Sequence, residues 1–211
     1  LVAGGRQATA APGDVSLRAG AEALLQTALD AYGRVDILVN NAGIWPQSPF
    51  LEADEALWTR TLQVNLIGQL LCAQLVARRL VEQGEGGAIV NVASIAAAVP
   101  HPDGLVAYGA SKAGVVNATR TFAKSLAPAG IRGRLEVGRG VGLVDVAEAR
   151  IALAAVRVGP HLRALAGEVP LLGHAEALLF NGARALRVVV VDHHRGANAL
   201  DIRIFVDIHA K

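Results

Sequence analysis

The sequence predicts an α/β fold, a doubly wound parallel sheet covered by helices, and three observations carry that prediction. Two short runs, Val35-Asp36-Ile37-Leu38-Val39 and Ala88-Ile89-Val90-Asn91-Val92-Ala93-Ser94, are apolar on both faces, as strands buried from both sides are. Segments of helical period flank each of them. The chain has 211 residues and is 53% hydrophobic, enough for one domain with a large buried core.

The elements follow in order. Ser16 is placed to cap a helix, and Leu24, Leu25, Ala28, Leu29 and Tyr32 recur at helical spacing behind it. Gly33 ends that helix. The first strand runs into Asn40-Asn41-Ala42-Gly43, a strand-end turn, and a loop with Pro46 and Pro49 follows. Asp54 caps a long helix over 55–82, with Leu57, Leu62, Leu66, Leu70 and Leu71 expected toward a core, and Gly84, Gly86 and Gly87 stop it. The second strand leads through Pro100, Pro102 and Gly104 to a helix over 106–126. Beyond Arg132 the period is lost, no strand is expected from Gly133 to about Val158, and Arg187 to Val191 is strand-like. Leu200, Ile202, Ile204, Val206 and Ile208 then alternate with Arg203, Asp207 and His209, the period of a half-buried strand.

Composition removes several classes of function. Charged residues are only 18% and the net charge is +2, so the chain is neither disordered nor driven as a whole toward nucleic acid or an anionic membrane. The longest apolar helix-like stretch, 66–80, is broken by Gln69, Gln74, Arg78 and Arg79, and falls short of the roughly 18 apolar residues of a membrane span. The first residues lack the apolar run of a signal peptide. The single cysteine, Cys72, excludes an intrachain disulfide and points to a reducing, cytoplasmic setting. Asp192, His193, His194 and His209 have neither a cysteine partner nor helical histidine spacing, so no metal is expected.

Ligands on parallel sheets bind at the carboxyl ends of the strands, where Asn40 to Gly43 and Ser94 both fall. Tyr108 and Lys112 are four apart in one helix and share a face. A phenol titrates near 10 and is a poor base alone, but a neighbouring ammonium favours the phenolate, so the pair can serve as a general acid and base. Ser94 can hydrogen-bond a carbonyl or alcohol oxygen. Taken singly, Ser94, Asn40 and Asn41 read as turn residues, and Asn65 as a polar residue within a helix.

Taken jointly, Val39-Asn40-Asn41-Ala42-Gly43, Val64-Asn65, Ser94 and Tyr108-Gly109-Ala110-Ser111-Lys112 resemble the short-chain dehydrogenase/reductase family, in order and in spacing, over about residues 10–132. The resemblance implies a Rossmann-like three-layer fold and interconversion of an alcohol and a ketone with NAD or NADP. It implies that Tyr108 is the acid/base, that Lys112 tunes it and binds the nicotinamide ribose, that Ser94 polarises the substrate carbonyl, and that Asn65 holds a water in a proton relay. Asp14 and Val15 would meet the adenine ring. Asn41 would lie beside the adenosine half of the cofactor, with Ala42 and Gly43 completing that turn. Trp45, Ile95 and Val106, with Ser94, are candidate walls of a substrate pocket. The family commonly forms dimers or tetramers through helices matching 55–82 and 106–126.

Two departures stand out. The glycine-rich phosphate loop is missing, and Met is absent even at position 1, so the expectation is a fold lacking its first two strands, with an exposed sheet edge. After Ile131-Arg132 the likeness lapses, returns around Ala164 to Leu171, and fades beyond Phe180. The chain is accordingly divided into a partial catalytic domain, 1–132, and a divergent or frame-shifted remainder, 133–211. The competing reading is a non-catalytic fragment or interaction module that cannot hold a dinucleotide.

Overall fold

The computed structural model describes residues 9–100, 104–137, 144–145, 186–191 and 207–208. Four consecutive residues, Ile37–Asn40, form strand β1, and every one is buried. Such a strand needs neighbours on both edges. It has β2 (Gly87–Val92) on one side and β5 (Leu186–Val191) on the other, both parallel to it. The expected exposed edge beside β1 is therefore filled. A third strand, β3 (Ile131–Glu136), runs parallel to β2. This corrects the expectation that regular structure lapses at Gly133: that glycine lies in mid-strand, where a Cβ would stand 2.7 Å from the Ala123 Cβ. Two short strands, β4 (Val144–Asp145) and β6 (Asp207–Ile208), pair antiparallel to β3 and β5, giving the order β4-β3-β2-β1-β5-β6. The rest of the alternating segment at 200–208, the histidines after position 191 and the stretch 164–171 lie outside the described residues.

Helix α1 (Arg18–Tyr32) ends at Gly33, whose φ of 74° is a left-handed conformation that glycine adopts without strain. Ser16 does not cap it. Leu17 holds the cap position, and the Ser16 hydroxyl donates to Asp14 Oδ1 (2.6 Å), a bond that spends its hydrogen on a local turn.

Asp54 does cap, as its position foretells: its Oδ1 accepts from the Leu57 N–H at 2.7 Å. Asp54→Ala is expected to cost about 1 kcal/mol in a denaturant titration. Unchanged stability would show that the helix does not depend on this cap. The long helix behind Asp54 is not uniform. Helix α2 (Glu55–Leu62) passes through a π-helical turn (Gln63–Gly68) into α3 (Gln69–Gln83). Of the leucine stripe, Leu71 and Leu66 pack against core clusters, but the fully buried face lies beside it. Val64, Gly68, Cys72, Ala73, Val76, Ala77 and Leu80 are buried, while Leu57, Leu62, Leu66, Leu70 and Leu71 are half-buried. Close approach decides this. A Cβ on Gly68 would lie 2.9 Å from the Val15 carbonyl oxygen, so small residues meet the body of the protein and the leucines flank it. Residues Glu55–Gln83 are long and apolar enough to cross a membrane by length and composition, but half of their most apolar window is buried inside the protein, as in a core helix.

Helix α4 (Val106–Leu126) occupies its expected span. The main core joins Val15, Leu24 and Ala28 to Leu38, Cys72, Val76, Leu80, Ile89 and Ile131. Burial pushes the Cys72 thiol up to about 12, which leaves it unreactive. An amide clamp fixes the approach to β1: Gln83 donates to the Val35 carbonyl (2.6 Å) and accepts from its N–H (3.1 Å).

Candidate active site

Two strand ends meet where β1 and β2 release their chains. β1 ends on Asn40, which is completely buried and is not a turn former. Its Nδ2 donates across the register to Asn91 Oδ1 (2.8 Å) and to the Gln69 carbonyl (3.1 Å). Asn91 in turn donates to Thr119 Oγ1 (2.8 Å). The sheet edge and α4 are thus tied by a buried polar chain, which fixes the element that carries Tyr108.

Asn41, Ala42 and Gly43 follow. Ala42 is buried, and Gly43 brings bare backbone against the site. A Cβ there would stand 3.3 Å from Asn65 Oδ1 and 3.6 Å from Lys112 Nζ. The π-helical turn delivers Asn65, completely buried, to the same spot. Its Oδ1 accepts from the Ile44 N–H (2.8 Å), and its Nδ2 donates to the Ile44 carbonyl (2.8 Å) and to Ser111 Oγ (3.1 Å). Both amide hydrogens are spent on the protein. Of the side chain, the second lone pair of Oδ1 is left to engage a water.

β2 ends at Val92, and its carbonyl accepts from Lys112 Nζ at 2.7 Å. Lys112 is only 3% exposed, and burial pulls its ammonium down to about 8. Two of its hydrogens remain for other partners. The nitrogen lies 5.7 Å from the centre of the Tyr108 ring, so the pair expected from the four-residue spacing is formed. Ser94 sits just past the strand with extended backbone and starts a short 3₁₀ turn (Ile95–Ala97), its hydroxyl accepting from the Ala96 N–H at 3.2 Å. Among the described residues it donates to no acceptor, so its hydrogen is available to a ligand. Gly109 lets α4 lie on this turn: a Cβ there would be 3.1 Å from the Ala96 carbonyl oxygen.

The other expected residues divide. Asp14 accepts from Ser16 and pairs with Arg60 at 3.7 Å, keeping its carboxylate at the surface before α1. The Val15 side chain is 1% exposed and belongs to the core, so only its backbone can meet a ligand. Of the pocket candidates, Val106 lines a cavity of about 370 Å³ with Phe50, Ala96, Pro100, Leu105 and Gly109. Trp45 and Ile95 are about half exposed, and neither they nor Ser94 line it. The sequence assigns no role to Phe50, Asn91, Gly109 or Ser111, although the last two stand inside the motif from Tyr108 to Lys112. Only Ser111 carried a usable signal, a hydroxyl one residue before the lysine on the tyrosine's own helix.

Residues 1–135 match the family model described as short chain dehydrogenase. The chain is 36% identical over 131 residues to a 3-oxoacyl-(acyl-carrier-protein) reductase of Synechocystis sp., covering 62% of this chain and 52% of that protein. It is 40% identical over 134 residues to an L-rhamnose 1-dehydrogenase (NAD(P)(+)) of Azotobacter vinelandii, covering 63% and 51%. Among solved structures, a short chain dehydrogenase from Mycobacterium smegmatis superposes with a TM-score of 0.57 at 31% identity, over 59% of this chain and 52% of that one. The chain spans about half the length of the curated relatives it matches.

Proposed function

The chain belongs to the short-chain dehydrogenase family, and from that premise we propose that it interconverts an alcohol and a ketone with NAD or NADP in the cytoplasm. The observation that carries the reading is the desolvated Lys112 beside the Tyr108 ring, with a Ser94 hydroxyl that donates to no acceptor among the described residues, on the turn that α4 packs against. Ser94 donates to the substrate oxygen and orients it. Tyr108 gives its phenolic proton to that oxygen during reduction and takes it back during oxidation. Lys112 supplies positive charge to the phenol and passes protons onward, for which a group poised near 8 is suited.

The residues fit the nicotinamide half of a dinucleotide. Bare backbone at Gly43 and the two remaining Lys112 hydrogens leave room and donors for ribose hydroxyls. Asp14, the Val15 backbone, Asn41 and Ala42 would meet the adenosine half. When bound, the dinucleotide gives or accepts the hydride. The cavity beside Val106 and Phe50 would take the apolar part of the substrate. A second copy of the chain would seat on the apolar groove between α3 and α4, about 690 Å³ and lined by Leu70, Ala73, Ala77, Val81, Phe122 and Leu126. Residues 1–132 would form the catalytic part.

Two measurements on the full chain test the reading: calorimetric titration with NADH and NADPH, and loss of reduced cofactor at 340 nm with a panel of ketones. Binding of one dinucleotide together with ketone-dependent oxidation is expected. No heat with either dinucleotide would instead favour a chain that keeps the residues without the chemistry.

A further inference from the structure

We propose that Ser111 is a positioning residue: its buried hydroxyl sets the turn that presents Tyr108 by joining that turn to Asn65. The proposal rests on the oxidoreductase reading for its catalytic consequence and on geometry alone for its structural one.

Ser111 is completely buried. Its Oγ donates to the Tyr108 carbonyl at 2.7 Å and accepts from Asn65 Nδ2 at 3.1 Å. A hydroxyl has one hydrogen, so the two bonds depend on one another. Only when the hydrogen points at Tyr108 does the Oγ lone pair face Asn65. Bonds in such a chain polarise and strengthen each other. A serine that bonds back three residues along a helix usually does so alone and contributes little. Here the other side of the same oxygen is held by an amide whose remaining groups grip both the N–H and the carbonyl of Ile44.

The chain of bonds therefore runs from the loop after β1, through the π-helical turn, into the first turn of α4. Ile44 directly follows Gly43, the residue whose backbone lies against Lys112 Nζ. The loop that would face the cofactor and the residue that would move the proton are fastened at one oxygen atom. Lys112 has its own anchor at Val92, so Ser111 governs the tyrosine rather than the lysine.

Three full-length variants test this with tyrosine ring carbons labelled for NMR. The chain has two tyrosines, so Tyr32, bonded to Thr9, serves as an internal reference. In Ser111→Ala the Tyr108 resonance is expected to move while that of Tyr32 stays, and Ser111→Thr, which keeps the hydroxyl, is expected to restore it. If Ser111→Ala does not fold, Ser111→Cys replaces it, with the same expected shift. In the ketone assay, kcat of the hydroxyl-less variant should fall about 10- to 100-fold with KM within about twofold, the cost of a slightly misplaced group. A Tyr108 resonance coincident with wild type in the Ala or Cys variant overturns the proposal, and so does an unchanged kcat. A wild-type chain without turnover would sink the oxidoreductase reading and leave the resonance test of Ser111 to stand or fall by itself.

Discussion

Tyr108→Phe is expected to lower ketone reduction by about 10²- to 10⁴-fold, the span that a positioned acid or base contributes. The substitution removes one oxygen. The ring keeps its place on α4, and its face still lies 5.7 Å from Lys112 Nζ. The carbonyl of residue 108 still accepts from Ser111, because that bond is made by the backbone. Fold and dinucleotide affinity should therefore survive, and the loss should fall in kcat. Neither Ser94, an alcohol whose hydroxyl donates to no acceptor among the described residues, nor Lys112, anchored to the Val92 carbonyl, is expected to replace the phenol as proton donor. The measurement is the rate of absorbance loss at 340 nm, with a thermal melt and a calorimetric titration as controls. A variant that keeps more than a tenth of wild-type kcat would remove Tyr108 from the chemistry and transfer the proton to another group.

Most local signals are legible in the sequence, and relations between distant segments are not. Gly33, Asp54 and the span of α4 depend on capping geometry and helical period, which neighbouring residues determine. The pairing of Tyr108 with Lys112 was legible for the same reason, being a single turn of one helix. The leucine stripe between positions 57 and 71 was only partly a guide, Leu66 and Leu71 packing on core clusters, because hydrophobicity marks which residues avoid water but not how closely two elements approach. Gly68 against the Val15 carbonyl decided that, and Val15 is far away in sequence. The π-helical turn at Gln63–Gly68 leaves no mark in a 3.6-residue period, yet it aims Asn65 at Ile44 and Ser111. Ser16 misled in the opposite sense: a nearer partner, Asp14, took the hydroxyl that a cap would have used. β3 was missed because Arg132, Gly133 and Arg134 interrupt its apolar residues, while its partner β2 supplies the order.

Lys112 should make stability depend on pH in a window that ordinary lysines do not affect. Desolvation lowers its folded-state value to about 8 from the ordinary 10.5. Between those values the unfolded chain binds a proton that the folded chain has released, so stability rises with pH through the window. Below about 8 the ammonium is charged in both states, and holding it buried costs about 3 kcal/mol relative to alkaline conditions. Lys112→Met keeps the length of the side chain and removes the titration, together with the bond to the Val92 carbonyl. The difference in unfolding free energy, wild type minus variant, should therefore grow in favour of wild type by about 2–3 kcal/mol between pH 7 and pH 10. Other titrating groups cancel in that difference. Urea titrations of both chains across the range measure it, and a flat difference would mean that the ammonium is solvated. The position of the window matters for the chemistry as well. On the proposed mechanism, a lysine that exchanges its proton near pH 8 would reload the Tyr108 phenol after each turnover more readily than one titrating near 10.5.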